Sequence, residues 1–157
     1  REYVVTMAPG HATPAPWVNV LANPHFGSVV SEAGMAYTWS ENAHEFRLSP
    51  WSGDPVGATG GEAIYLRDEE SGHFWSPTPF PARGAMPYRT RHGFVYSVFE
   101  HTTGGIHSEL WVYVDVDDPG VGVGAADERG AELGGSRRIR EARGRRHRTQ
   151  CGILRAE

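Results

Sequence analysis

Residues 38 to 55 read Thr38-Trp39-Ser40-Glu41-Asn42-Ala43-His44-Glu45-Phe46-Arg47-Leu48-Ser49-Pro50-Trp51-Ser52-Gly53-Asp54-Pro55. Two Trp, one Arg, one His, three carboxylates and an Asn thus share one short stretch. Those types together suit a sugar ring, whose aliphatic C–H faces stack on indole while its hydroxyls need Asp, Asn, Glu or Arg partners. Trp39 and Trp51 are the candidate stacking residues, and Arg47 and Asp54 the candidate hydroxyl partners. The same stretch also fits an aromatic hairpin whose Trp residues simply fill a small β core. Glu41, Glu45 and Asp54 have the right type for glycoside cleavage, which uses a protonated acid and often a second carboxylate. Glutamates on hairpins are usually solvated, so no catalytic residue is assigned.

Other chemistry finds less support. The eight His fall at no recognised ligand spacing, and a structural zinc would also want cysteines, of which Cys151 is the single example. No metal site is therefore expected, and scattered His serve as surface or core hydrogen-bonding groups. A nucleophile elbow, a phosphate-binding loop and a dinucleotide fingerprint are all missing from the sequence. One Cys excludes an internal disulfide.

The elements that must carry the aromatic stretch read as β. The chain has 157 residues, enough for one domain with a modest core, and its 20 Gly, 11 Pro and 17 aromatics favour many turns between strands. Strands are expected over Val18 to Ala22, Ser28 to Ser31, Ala36 to Ser40, Glu62 to Arg67 and His73 to Ser76. The two longest candidates are Phe94 to Glu100 and Ile106 to Val114, with His101 to Gly105 as the turn between them. Phe94, Tyr96 and Val98 share one face of the first, and Leu110, Val112 and Val114 one face of the second. Asp68 to Gly72 reads as a polar hairpin turn, and Pro77 to Pro81 cannot feed a central ladder. The expectation is an all-β, antiparallel sandwich.

Composition changes sharply near Pro119. Residues 1–119 carry 6 Arg against 14 acidic residues, a balance of −8, while residues 120–157 carry 9 Arg against 5, a balance of +4. All aromatics lie at or before Tyr113, and no Lys occurs anywhere. Gly120 to Gly124 would be flexible, and seven of the twelve residues from Arg137 to Arg148 are Arg. The division expected is a partial sandwich over 1–119 and a disordered Gly/Arg-rich tail over 120–157, whose composition fits GC-rich codons read out of frame. The competing readings are an ordinary disordered tail and a basic tail for nucleic acid or an anionic surface. No aromatic is interleaved for base stacking, so a nucleic-acid partner is not expected. No apolar run is long enough to span a bilayer, and no signal pattern opens the chain.

Several pieces in order carry a family resemblance: Thr13 to Pro24, Phe26-Gly27, the Trp39 to Asp54 stretch, Gly61 to Asp68, Trp75 to Pro79, Arg91 to Ser97, Phe99 to His101 and Glu109 to Val114. Over about residues 3 to 119 the chain resembles the N-terminal β-supersandwich of glycoside hydrolase family 94, formerly glycosyltransferase family 36. It looks most like the phosphorylase-like region of cyclic β-1,2-glucan synthetases. The resemblance implies inverting phosphorolysis, with inorganic phosphate as co-substrate, no metal or organic cofactor, and an acid Asp supplied by an (α/α)6 barrel. This chain matches no part of that barrel, so the resemblance implies an inactive fragment of an enzyme of β-glucan metabolism. Its sandwich would support the barrel, edge the sugar cleft and form a homodimer. A cytoplasmic setting, or the cytoplasmic face of the inner membrane within a larger membrane protein, would follow. The alternatives are a free-standing carbohydrate-binding module and a purely structural or dimerisation domain.

Overall fold

The computed structural model describes residues 1–50, 61–68, 71–116, 121–127, 132–133 and 149–155, and these form antiparallel β-structure. In chain order the strands are β1 (Tyr3–Met7), β2 (Val18–Ala22), β3 (Phe26–Ser31), β4 (Gly34–Ser40), β5 (Glu62–Asp68) and β6 (Phe74–Trp75). They continue as β7 (Tyr88–His92), β8 (Tyr96–Thr103), β9 (Ile106–Val114), β10 (Val121–Asp127), β11 (Glu132–Leu133) and β12 (Thr149–Arg155). The large sheet has the order β1-β7-β8-β9-β10-β11, and the two smaller ones have the orders β2-β3-β4 and β12-β5-β6. The expected antiparallel all-β class is what the structure shows.

Leu21 and Val30 from one small sheet and Ile64 from the other meet Phe99, Leu110 and Val112 of the large sheet in the core. Period-2 alternation explains the choice. Ser97, Phe99 and His101 of β8 oppose Val112, Leu110 and Ser108 of β9 on the core side. Tyr96, Val98 and Glu100 oppose Tyr113, Trp111 and Glu109 on the outer side. Asn19 ties the layers together by donating to the carbonyls of Gly93 (2.9 Å) and Tyr96 (3.1 Å).

Strand positions follow the sequence reading closely, with instructive shifts. β8 begins at Tyr96 rather than Phe94, because Phe94 and Val95 make the turn closed by Gly93 N–H to Tyr96 O at 2.8 Å. Phe94 is 93% exposed there. β8 then runs on through Thr103, and the turn into β9 narrows to Gly104-Gly105, whose φ values of 57° and 78° a side chain would resist. β1 and β7 were not foreseen. β7 (YRTRH) buries Tyr88, Thr90 and His92 through hydrogen bonds rather than apolar character, so an apolar alternation does not reveal it.

Pro77 to Pro81 forms a loop, as expected, although Pro77 and Pro79 are fully buried in it. The polar turn after β5 closes through Gly72 N–H to Asp68 O at 2.8 Å, with Glu69 and Glu70 outside the described residues. Of the Gly120 to Gly124 stretch expected to be flexible, residues 121–124 enter the large sheet in β10, because the outer edge of β9 offers unpaired backbone groups, and Gly120 lies outside the described residues. Val121 pairs with Val114 and Val123 with Val112. The Arg137 to Arg148 cluster lies outside the described residues.

Candidate functional site

Tyr37 and Trp39 stand two residues apart on β4 and share one face of the small sheet β2-β3-β4. Their rings are 5.7 Å apart at 41°. Beneath Trp39, β3 carries Gly27, where a Cβ would lie 2.1 Å from the indole Cζ2. The glycine is therefore what lets the indole lie against the strand. Trp39 is half-buried, held from below by backbone.

After Ser40 the chain turns back. Glu41 takes a φ of 57° and its N–H donates to His25 O at 2.7 Å. Asn42 organises the turn: its carbonyl accepts from Phe46 N–H at 2.9 Å and its side-chain oxygen from His44 N–H at 2.8 Å. The returning strand pairs Arg47 with Trp39. Arg47 Nε donates to Ala43 O at 2.8 Å, and its guanidinium sits 5.5 Å over the Tyr37 ring. Ser49 fixes the return, accepting from Thr38 N–H at 2.8 Å, while Thr38 Oγ1 donates to Glu62 Oε1 at 3.1 Å.

Two of the four residues singled out by sequence, Trp39 and Arg47, are thus cross-strand partners. Trp51 and Asp54 lie outside the described residues. Tyr37 belongs to the same group and was missed; its i, i+2 spacing from Trp39 on a strand was the available signal. The hairpin carboxylates pair with imidazoles: Glu41 with His25 at 3.0 Å and Glu45 with His44 at 2.7 Å. Both pairs are well exposed, so they form a solvated rim rather than an acid–base couple.

The remaining polar interior is structural. Glu32, 2% exposed, accepts from Thr13 Oγ1 and from Trp17 N–H at 2.7 Å, pinning the loop before β2. His92 Nε2–H donates to Trp17 O (3.2 Å) while Nδ1 accepts from Ser97 (2.9 Å), and burial pushes its pKa down. His101 stacks on Tyr88 at 3.8 Å, donates from Nδ1 to Pro87 O, and is likewise pushed down by burial. Among the described residues no three His, Cys, Asp or Glu side chains gather to hold a metal ion, and no helix is long and apolar enough to cross a membrane.

Residues 1–122 match the family described as "Glycosyl hydrolase 94, supersandwich domain". The chain belongs to this family. It is 44% identical over 103 residues to the cyclic beta-(1,2)-glucan synthase NdvB of Rhizobium meliloti (strain 1021), covering 65% of this chain and 4% of that protein. It is 32% identical over 117 residues to the N,N'-diacetylchitobiose phosphorylase of Vibrio proteolyticus, covering 73% and 14%. Against the solabiose phosphorylase of Paenibacillus borealis the figures are 32% over 126 residues, 75% and 15%. The chain therefore spans at most 15% of these relatives' lengths. The family 94 match takes in the whole Trp39–Arg47 hairpin and runs into the start of β10.

Proposed function

We propose that this domain serves a family 94 enzyme of β-glucan metabolism, supporting its catalytic domain and edging the sugar cleft with the Trp39–Arg47 hairpin. One observation supports the reading above others. Trp39, Tyr37 and Arg47 converge on one sheet face, with Gly27 beneath and a polar rim of His25, Glu41, His44 and Glu45 around them. A pyranose would lay its C–H face on the Trp39 indole while Arg47 donates to its hydroxyls. Trp51 and Asp54 follow on the same segment and would complete the edge. The names of the relatives point to β-glucan or a small disaccharide as the ligand class and to glycosyl transfer or phosphorolysis as the chemistry.

In this reading the chain's own residues bind and orient, while the acid and the phosphate site belong to an (α/α)6 barrel. The sandwich supports that barrel and mediates a homodimer, at the cytoplasmic face of the inner membrane or in the cytoplasm. The test is titration of the chain with β-1,2-glucan oligosaccharides while Trp emission is followed. Saturable quenching is expected, weakened about tenfold in Trp39→Ala and in Arg47→Ala, as for loss of a charged hydrogen bond or an aromatic face. Curves unchanged in both variants would leave the hairpin a structural element and overturn its place at the cleft.

A further inference from the structure

The outer face of the large sheet carries a second aromatic and polar surface, assembled from strands remote in sequence. Tyr96 and Trp111 lie 5.2 Å apart on β8 and β9, and Tyr113, directly opposite Tyr96, is 40% exposed. Alongside them Arg91 of β7 reaches Glu100 at 2.8 Å, Glu2 at 3.0 Å and Glu109 at 3.3 Å. Arg89 reaches Glu100 from the other side at 3.3 Å. On the far flank β10 places Gly122 opposite Tyr113 and Gly124 opposite Trp111. Gly122 and Gly124 therefore put no side chain beside either aromatic.

The hydrogen bonds on this surface are one-sided. Glu109 Oε1 accepts from Trp111 Nε1–H at 2.7 Å and from Arg91 Nη2. Glu2 Oε1 accepts from the Tyr96 hydroxyl at 2.9 Å and from Arg91 Nη1. Both carboxylates take these bonds on Oε1, and their side chains stay 26% (Glu2) and 30% (Glu109) exposed. A carboxylate so fixed accepts from hydroxyls at little entropic cost.

We infer that this face is a binding site for a neutral oligosaccharide, with a pyranose stacked on Tyr113 and Trp111 and its hydroxyls donating to Glu109 and Glu2. Charge selects the class of ligand. The side chains of the cluster, three carboxylates against two guanidiniums, sum to one negative charge, and both guanidiniums are engaged by those carboxylates. A phosphate, a uronate or nucleic acid meets repulsion here, whereas a neutral polyol meets acceptors and aromatic faces. The inference takes its ligand class from the carbohydrate reading above but not its location, since the hairpin lies on a different sheet.

The experiment is isothermal titration of the 157-residue chain with β-1,2-glucan oligosaccharides, comparing Tyr113→Ala, Glu109→Gln and Trp39→Ala. Association about tenfold weaker in Tyr113→Ala and in Glu109→Gln is expected, with a component that survives in Trp39→Ala. Indole ¹H–¹⁵N spectra of the unmutated chain supply a readout that no folding defect can confuse: the Trp111 signal shifts on adding the sugar. If only the Trp39 signal moves and only Trp39→Ala weakens binding, this site falls and the hairpin reading stands. If Trp111 responds and Trp39 does not, the reverse holds. Absence of any heat or shift overturns the site.

Discussion

Replacing Arg91 with Met tests how the large sheet tolerates Glu100 directly opposite Glu109. Like charges facing each other across strands are destabilising, and here one guanidinium holds both together with Glu2. The Arg91 side chain is 19% exposed; burial alone would pull its pKa down, but Glu100, Glu2 and Glu109 hold it above its ordinary value. Each partly exposed pair is worth about 0.2–1 kcal/mol, so three lost pairs remove roughly 1–2 kcal/mol. The exposed repulsion between Glu100 and Glu109 adds a further ~0.5 kcal/mol. Met keeps an apolar stem of similar length, so the loss falls on the charge, including the guanidinium 5.9 Å over the Trp111 ring. A total of about 2 kcal/mol corresponds to a fall of roughly 4–8 °C in Tm for a chain of this size. Thermal melts followed by far-UV circular dichroism at low and high salt provide the assay. The gap should narrow in about 1 M NaCl, where the screening length drops to ~3 Å. Arg91→Lys should fall between the two, because an ammonium cannot hold three carboxylates with fork geometry. A melt of Arg91→Met within about 1 °C of the unmutated chain would refute the reasoning.

Two further outcomes follow from the packing. Gly27→Ala drives a methyl group into the Trp39 indole, which should cost about 1–3 kcal/mol and shift Trp emission, measured by denaturant unfolding followed through fluorescence. Burial pushes the pKa of both His92 and His101 below the ordinary 6.5, so the folded state holds them neutral where the unfolded chain is already protonated. Their contribution is complete above pH 6.5 and is lost as pH falls through the lowered folded values. Tm should therefore drop on acidification below pH 6.5. His101→Phe, which keeps the stack on Tyr88, should flatten that drop, and an unchanged pH profile would exclude His101 from it.

Sequence revealed most where β-branched and aromatic residues alternate between Gly and Pro breaks. β2 and β9 begin and end at the expected residues, and β4 and β5 lie within two residues of expectation. It revealed least where polar side chains are buried. Thr90 of β7 is fully buried and donates to Glu32 O at 2.9 Å, a partner 58 residues away that no periodicity discloses. The hairpin pairing of Trp39 with Arg47 was within reach because only residues 40–46 and one Asn-organised turn separate them. The cluster around Arg91 was not: Glu2, Arg91, Glu100, Glu109 and Trp111 meet only because β1, β7, β8 and β9 lie side by side.

Burial differs from one indole to the next among the described residues. If the indoles were simply core, they should be as inaccessible as Phe99 or Leu110. Trp75, 2% exposed, meets that description, while Trp17 is 49% exposed and stacks on Tyr3 at the sandwich edge. Trp39 and Trp111 fall between these extremes. Each is supported from within its own sheet, Trp39 by the bare backbone of Gly27 and Trp111 by its bond to Glu109 beneath the reach of Arg91. Partial burial with a fixed orientation costs a core little and suits a stacking surface well, because the ring loses no further freedom when a ligand covers it. Under the two proposals above, these indoles on two sheets are the positions at which a sugar would stack.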